Sequence, residues 1–392
     1  MQRFDFNNSD YASFFRSKND GAKLLQSYID SSAVLNMDYG WALTQGRIAG
    51  MPIPTGPDGA AVFQMESYKL EAAPLMDLRA PLGDSLQMDA EGMDFYTASI
   101  PDFIGRGWTE TAVQRAYKEK QYEQFGNDAK IIARWTADSL LRGLNQAKAT
   151  LNLMTAQLQT TGKIDYRGMG AGIYVPLHDA KIPSVNFYKA GEKAWNSPGC
   201  KILTQMRKIE DKYREERGGY NGALVWKMTK KMYHDTFLQN AEVIALYEKW
   251  CTANYIAYVQ GMPITNEQFL KSIADIQGIS PIEIVVEKER NKTATTDTTV
   301  QGWKDNIVVL RPAGDAVEFQ YTDSLDEAMQ KKYGASSIDS VFATMLQGLV
   351  KVMNITTDNG RFKEWHTDTM MSATPALLSF TNHVIVDTVT AE

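Results

Sequence analysis

The stretch on which the fold turns is Asp128-Ala-Lys-Ile-Ile-Ala-Arg-Trp-Thr-Ala-Asp-Ser-Leu-Leu-Arg-Gly-Leu-Asn-Gln-Ala-Lys-Ala-Thr-Leu-Asn-Leu-Met-Thr-Ala-Gln-Leu-Gln-Thr160. Ala137, Leu141, Leu144, Ala147, Leu151, Met154 and Leu158 recur at intervals of three and four. That period puts them on one face of a helix. Gly126-Asn127 breaks the chain just before Asp128, which reads as an N-cap, and Thr161-Gly162 supplies the stop. At about 1.5 Å per residue the helix spans roughly 50 Å, enough to cross a whole domain as a spine.

Upstream the pattern changes. Residues 58–107 hold a strand-like apolar run from Ala60 to Tyr68, then Pro74, Pro81 and Pro101, with Met88, Met93, Phe95 and Tyr96 between. Prolines without a long periodic segment are hard to place in a central sheet. A two-stranded excursion from the body fits better, and such a ribbon is unstable alone in water. It therefore needs a partner surface. Leu75, Met76, Leu82, Met88 and Met93 are the apolar residues expected to meet one. Residues 1–57 end in Met51-Pro-Ile-Pro-Thr-Gly-Pro57 and read as an arm laid over other structure.

Downstream, helices and strands mix without a regular βαβ beat. Thr109 to Phe125 reads as a charged helix. Ser197 reads as N-cap and Pro198 as the first residue of a helix ending at Gly218-Gly219. A strand at Ala223–Trp226 should lead into a helix at Lys227–Leu238, with further helices at 240–258 and Thr265–Ile276. Strands are expected at Ile282–Glu287, Trp303–Leu310 and Ala316–Tyr321, with an exposed hairpin loop at Lys288–Thr299. The tail predicts a helix at Val341–Leu349 and strands at Gly348–Ile355, Arg361–His366 and Asn382–Val389. The fold class is α+β.

Composition bounds the rest. The chain has 392 residues, 44% hydrophobic and 22% charged, which is ordinary for a globular protein of two or three domains. A net charge of −6 argues against gripping a phosphate backbone as the main task, though a local basic patch remains compatible with it. Cys200 and Cys251 lie outside any CxxC pattern and are expected as buried free thiols in a reducing compartment. The polar N-terminus has no signal-peptide core, and no apolar run is long enough for a membrane span. Neither secretion nor a membrane partner is expected.

No residue pattern nominates catalysis, a metal or a cofactor. Gly168-Met-Gly-Ala-Gly172 follows a helix and precedes a strand, the reverse of a dinucleotide fingerprint. Thr161-Gly-Lys163 lacks the rest of a phosphate loop. His178, His234, His366 and His383 show no metal-ligand spacing. There is no nucleophile elbow. Glu210, Asp211, Glu215 and Glu216 interleave with Lys208, Lys212, Arg214 and Arg217, which favours a solvated helix face with i,i+4 pairs. The eight tryptophans and 18 methionines suit core and interface.

The order of these parts resembles the major capsid proteins of tailed bacteriophages with the HK97-like fold, lambda-type branch. The resemblance covers roughly 55–392. It rests on the Pro-punctuated loop, the long helix, Ala194-Trp-Asn-Ser-Pro198, Gly218-Gly219-Tyr-Asn221, Ala223-Leu-Val-Trp-Lys-Met228 with Phe237-Leu-Gln-Asn240, Asp305-Asn-Ile-Val-Val-Leu-Arg-Pro-Ala-Gly314, and Thr374-Pro-Ala-Leu-Leu378 before a last strand. It implies an N-terminal arm (1–57), an extended loop (58–107), a peripheral domain (108–195 and 331–392) and an axial domain (196–330). It further implies hexamers and pentamers of an icosahedral head around double-stranded DNA, located in the virion and assembled in the host cytoplasm. The short arm implies a separate scaffolding protein; portal and decoration proteins and non-specific DNA contact would follow. The alternative is a soluble α+β enzyme with an unrecognised carboxylate site.

Overall fold

The computed structural model describes residues 41–48, 53, 61–72, 93–105, 108–111, 113–114, 116–117, 120, 124, 129–166, 177–191, 193–257, 264, 269, 273, 278–285, 289–292, 297–323, 340–358 and 363–391. The chain opens with α1 (Trp41–Thr44) and β1 (Gly46–Arg47). Strands β2 (Ala61–Tyr68) and β3 (Met93–Ile100) pair antiparallel from Ala61 opposite Ile100 to Tyr68 opposite Met93. Short strands β4 (Asp102–Ile104) and β5 (Trp108–Glu110) precede the long helix α2 (Ala129–Thr161). Helix α2 stops at Gly162, whose φ of +70° only glycine takes up freely. Then come β6 (Lys163–Ile164), β7 (His178–Asp179), β8 (Phe187–Ala190), α3 (Ile202–Glu215) and β9 (Leu224–Thr229). A helical turn, α4 (Lys230–Met232), runs into a π turn at Tyr233–Phe237 and is followed by α5 (Ala241–Ala253). The remainder is β10 (Ile282–Val285), the hairpin β11 (Glu289–Lys292) and β12 (Asp297–Val300), β13 (Ile307–Pro312), β14 (Val317–Tyr321), β15 (Ser340–Met345), β16 (Val350–Asp358), β17 (Lys363–Leu377) and β18 (Val384–Ala391).

Two sheets organise the fold. Seven strands form the larger one: the path β1-β14-β17-β16-β15, with β4 and β5 also pairing with β17. It shares a core with α2, and with the inward face of the β2–β3 ribbon, through Leu144, Leu151, Met154, Leu158, Phe319, Met371 and Leu377. The second sheet has the order β10-β9-β13-β18-β8. It packs with α3 and α5 through Trp195, Leu203, Met206, Tyr213, Trp226, Phe237 and Val384. A smaller cluster of Ala156, Trp303, Ile307, Val309 and Ile385 ties α2 to this second sheet. The apolar stripe read from the sequence is therefore the spine of the molecule: Leu144, Ala147, Leu151, Met154 and Leu158 are all buried.

Several expectations need correcting. The helix expected at Val341–Leu349 is strand β15 followed by a 3-10 turn at Leu346–Gly348, because residues 340–345 pair along β16. Thr109 lies in β5, paired with His366, and the helical residues begin only after Thr111. Ser197 and Pro198 form a turn, not a helix start. Gly199 has a φ of +74° and cannot lead straight into a helix, so α3 begins at Ile202. Lys227 belongs to β9, which runs on to Thr229; the Thr229 hydroxyl then caps the following turn by accepting from the Met232 amide. Strand β14, expected with the axial part, pairs with β17 in the large sheet. Strands β8 and β18, expected with the peripheral part, complete the smaller sheet beside β13. Within 58–107, β4 pairs with β17 of the large sheet.

Candidate assembly surface

Strand geometry sends alternate side chains to opposite faces. Along β2, Ala61, Phe63, Met65 and Ser67 are buried while Val62, Gln64, Glu66 and Tyr68 are exposed. On β3, Tyr96, Ala98 and Ile100 complete the inward face. Tyr96 fixes it. Its ring meets Phe63 and Phe380 edge-on at centroid distances of 6.2 and 5.0 Å, and its hydroxyl accepts from the Leu377 amide at 2.8 Å. Burial pushes the Tyr96 phenol well above its ordinary range. His178 lies against the same rings, 5.7 Å from both Phe63 and Tyr96. Its Nδ1 is 3.4 Å from the hydroxyls of Tyr166 and Thr374. Burial lowers its pKa to about 4, despite the opposing charge of Asp179.

A polar clamp holds the ribbon's outer end. The Ser67 and Thr381 hydroxyls are 2.7 Å apart. The Tyr68 carbonyl accepts from Asn382 Nδ2 at 2.7 Å and from the Thr381 hydroxyl at 2.9 Å, while Asn382 Oδ1 accepts from the Leu70 amide at 2.8 Å. Beyond it the Ala72 amide donates to the Arg217 carbonyl, and Lys69 Nζ to that of Glu216. Arg217 is itself buried. Its guanidinium lies 3.8 Å over the Tyr213 ring and donates to the Tyr213 and Thr381 carbonyls and to Asn186 Oδ1. A buried cation with its donors satisfied in a fixed fork holds the 216–217 carbonyls in place for Lys69 and Ala72.

The outward face is different in kind. Val62 is 57% exposed and Phe95 63%, with Tyr68 and Met93 about half exposed opposite each other at the end of the ladder. Among the described residues neither ribbon edge has a further strand partner. Val62, Tyr68, Met93 and Phe95, interleaved with the polar Gln64, Glu66 and Thr97 on the outward face of a two-stranded ribbon with open edges, make a candidate contact surface. Of the residues expected there, Met93 is on this face; Leu75, Met76, Leu82 and Met88 lie outside the described residues. Sequence reasoning missed Val62, Tyr68 and Phe95. The strict alternation of Ala61–Tyr68 was the signal that could have found them.

The other candidates resolve differently. Glu210 is not on a solvated face. It is buried, pairs with Arg214 at 2.8 Å, and accepts from Trp226 Nε1, the Ser280 amide and the Ser280 hydroxyl. All its acceptor capacity goes to holding α3 against β9 and residue 280. His383 is buried too, its Nε2 donating to the Gln159 carbonyl at 2.7 Å, and burial lowers its pKa to about 4. Cys200 and Cys251 are buried and unbridged. Among the described residues no group of three or more His, Cys, Asp or Glu is placed to hold a metal, and no helix is long and apolar enough to cross a membrane. The glycine cluster at 168–172 lies outside the described residues.

No family model matches the sequence, and no curated protein matches it. Solved structures do. A phage-related protein from Bordetella bronchiseptica RB50 is 14% identical, with 93% of this chain and 96% of that one covered at a TM-score of 0.46. The capsid of cyanophage P-SCSP1u gives 12% identity, 88% and 90% coverage and a TM-score of 0.41. The mature capsid of bacteriophage PhiM1 gives 10%, 90% and 87%, and 0.42. The described residues form a mixed α and β fold.

Proposed function

We propose that this chain is a major capsid protein that assembles into hexamers and pentamers of an icosahedral phage head enclosing double-stranded DNA. The observation that carries the reading is the ribbon: its inward face is held to the body by Tyr96 and its Tyr68 end by Asn382 and the Arg217 carbonyl, while its outward face offers Val62, Tyr68, Met93 and Phe95 to solvent. A subunit that anchors one face of a ribbon and leaves four large apolar side chains exposed on the other is suited to lie against a second copy. The 33-residue spine helix shares its buried core with the inward face of the ribbon, which supports the same reading. In this reading the large sheet with α2 is the peripheral domain and the sheet of β9, β13 and β18 the axial one. Leu75, Met76, Leu82 and Met88, carried by the same excursion, would extend the contact. A separate scaffolding protein, a portal and decoration proteins are the partners, and the role is structural, with the virion shell as its location. The net charge of −6 suits a shell that must package DNA without adhering to it along its whole surface.

The test is direct. The purified chain, alone or co-expressed with a scaffolding partner, should form capsomers or closed shells visible by electron microscopy and sedimentation. A protein that stays monomeric at all concentrations while the ribbon amides are fully protected from hydrogen exchange would overturn the reading.

A further inference from the structure

Helix α3 buries Ile202, Leu203, Met206, Ile209, Glu210 and Tyr213. Its opposite side carries Lys201, Lys208 and Lys212, spaced seven and four apart, so they fall on one face. Lys189 from β8 and Lys193 from the following loop face the same space. Together the five lysines line a cavity of about 610 Å³, and among the described residues no carboxylate lines it. Two carboxylates of the described residues neighbour the cavity, and one of them pairs with a lining lysine. Glu242 caps α3 through the Leu203 amide and the Thr204 hydroxyl, and Glu216 pairs loosely with Lys212 at 3.9 Å. Lys189, Lys193, Lys201 and Lys208 have no ion-pair partner among the described residues.

The walls are built. Gln205 Oε1 accepts from Trp195 Nε1 at 2.7 Å and from the Gly191 amide at 3.4 Å, and its Nε2 donates to the Lys193 carbonyl. This holds the 191–195 loop, and with it Lys193, against α3. Gly199, at a φ of +74°, turns the chain below Lys193. Five cations converging on one concavity repel one another unless an anion enters it. Their clustering stands out in a chain whose net charge is −6.

We infer that this cavity is a binding site for a phosphate-bearing anion, held by Lys189, Lys193, Lys201, Lys208 and Lys212. Lysine is a compact, rotatable point charge suited to phosphate, and the volume is that of a small-ligand site. The phosphate can come from a free oligophosphate or from a nucleic-acid backbone. The site does not depend on whether the chain assembles.

Full-length protein, freed of phosphate at low salt, is titrated calorimetrically with sodium tripolyphosphate. Binding is expected, and Lys193→Gln with Lys208→Gln should weaken it about tenfold or more. Lys201→Gln should weaken it to a lesser degree, and Lys304→Gln, outside the cavity, should leave it unchanged. All four lysines are exposed, so melting temperatures should match the parent. A short DNA duplex then separates the sources. If it competes with tripolyphosphate, and its salt slope falls by about one per lysine removed, the backbone is the ligand. If it does not compete, the ligand is a free oligophosphate. The inference is overturned if tripolyphosphate fails to bind, if the lysine variants bind it as the parent does, or if a polyglutamate peptide binds and tripolyphosphate does not.

Discussion

A neutral imidazole packed against two aromatic rings loses its environment when it must take up a proton. His178 is held near pKa 4 by burial, against an ordinary value of 6.5. Between those values the unfolded chain binds the proton and the folded one does not. Stability therefore rises with pH across that window and is lost as pH falls through it, by at most about 1.4 kcal/mol per pH unit for one histidine. His383 contributes with the same sign. We expect the melting temperature to drop on acidification from about pH 6.5 towards 4, and His178→Gln to flatten that dependence by about half. An unchanged slope in the variant would place the acid sensitivity elsewhere. The sequence displayed His178 beside Asp179 but not its burial, because Phe63, Tyr96 and Thr374 reach it from far along the chain. Glu210 was misread for the same reason. Its i,i+4 partner Arg214 is local and visible, whereas Trp226 and Ser280, which bury it, are 16 and 70 residues away.

At the scale of elements, the spine helix was legible and its crossing was not. Period and caps located α2 to within a residue or two of its bounds. Nothing local announced that Gly143 is where α2 meets β17. A Cβ there would stand 1.9 Å from Thr369 Oγ1 and 3.1 Å from Thr369 Cβ, and Gly105 is pressed against the same Thr369. Alanine gains about 1 kcal/mol over glycine in a helix interior. Forcing helix and strand apart costs about 1–3 kcal/mol, so Gly143→Ala should be net neutral to destabilising where propensity alone predicts stabilisation. Chemical denaturation of Gly143→Ala and of Gly143→Ala with Thr369→Ala measures this; the second change should recover part of the helix gain, and a clear stabilisation by the single change would refute the crossing. Strand β17 also defeated local reading, because it runs through Pro375. The Leu377 amide points away from β14 towards the Tyr96 hydroxyl. Pro375, two residues earlier on the same side, therefore removes no bond to β14. Strand β15 was mistaken for a helix because its pairing partner decides its state, and a short apolar run carries no period that separates the two.

For the whole molecule, the sequence conveyed the order of parts but not their division into sheets. The pairing of β18 with β8 spans most of the C-terminal half of the chain, and no local pattern encodes it. The ribbon shows best how one strand can serve both scales. Its two faces have different partners, so substitutions one residue apart should separate folding from assembly. Phe63 is buried against Tyr96 and His178, and Phe63→Ala should cost the protomer about 3–5 kcal/mol. Val62 and Phe95 touch solvent in the protomer, so Val62→Ser with Phe95→Ser should leave protomer stability within about 1 kcal/mol of the parent. If that face lies on a second copy, the same pair removes two apolar anchors from every contact in a closed shell. The protein concentration needed for assembly, followed by sedimentation or light scattering, should then rise at least about tenfold. Equal assembly by parent and paired variant would show that the outward face is not the contact, even if shells form. A fall in protomer melting temperature as large as that of Phe63→Ala would show that the face is covered from within the same chain.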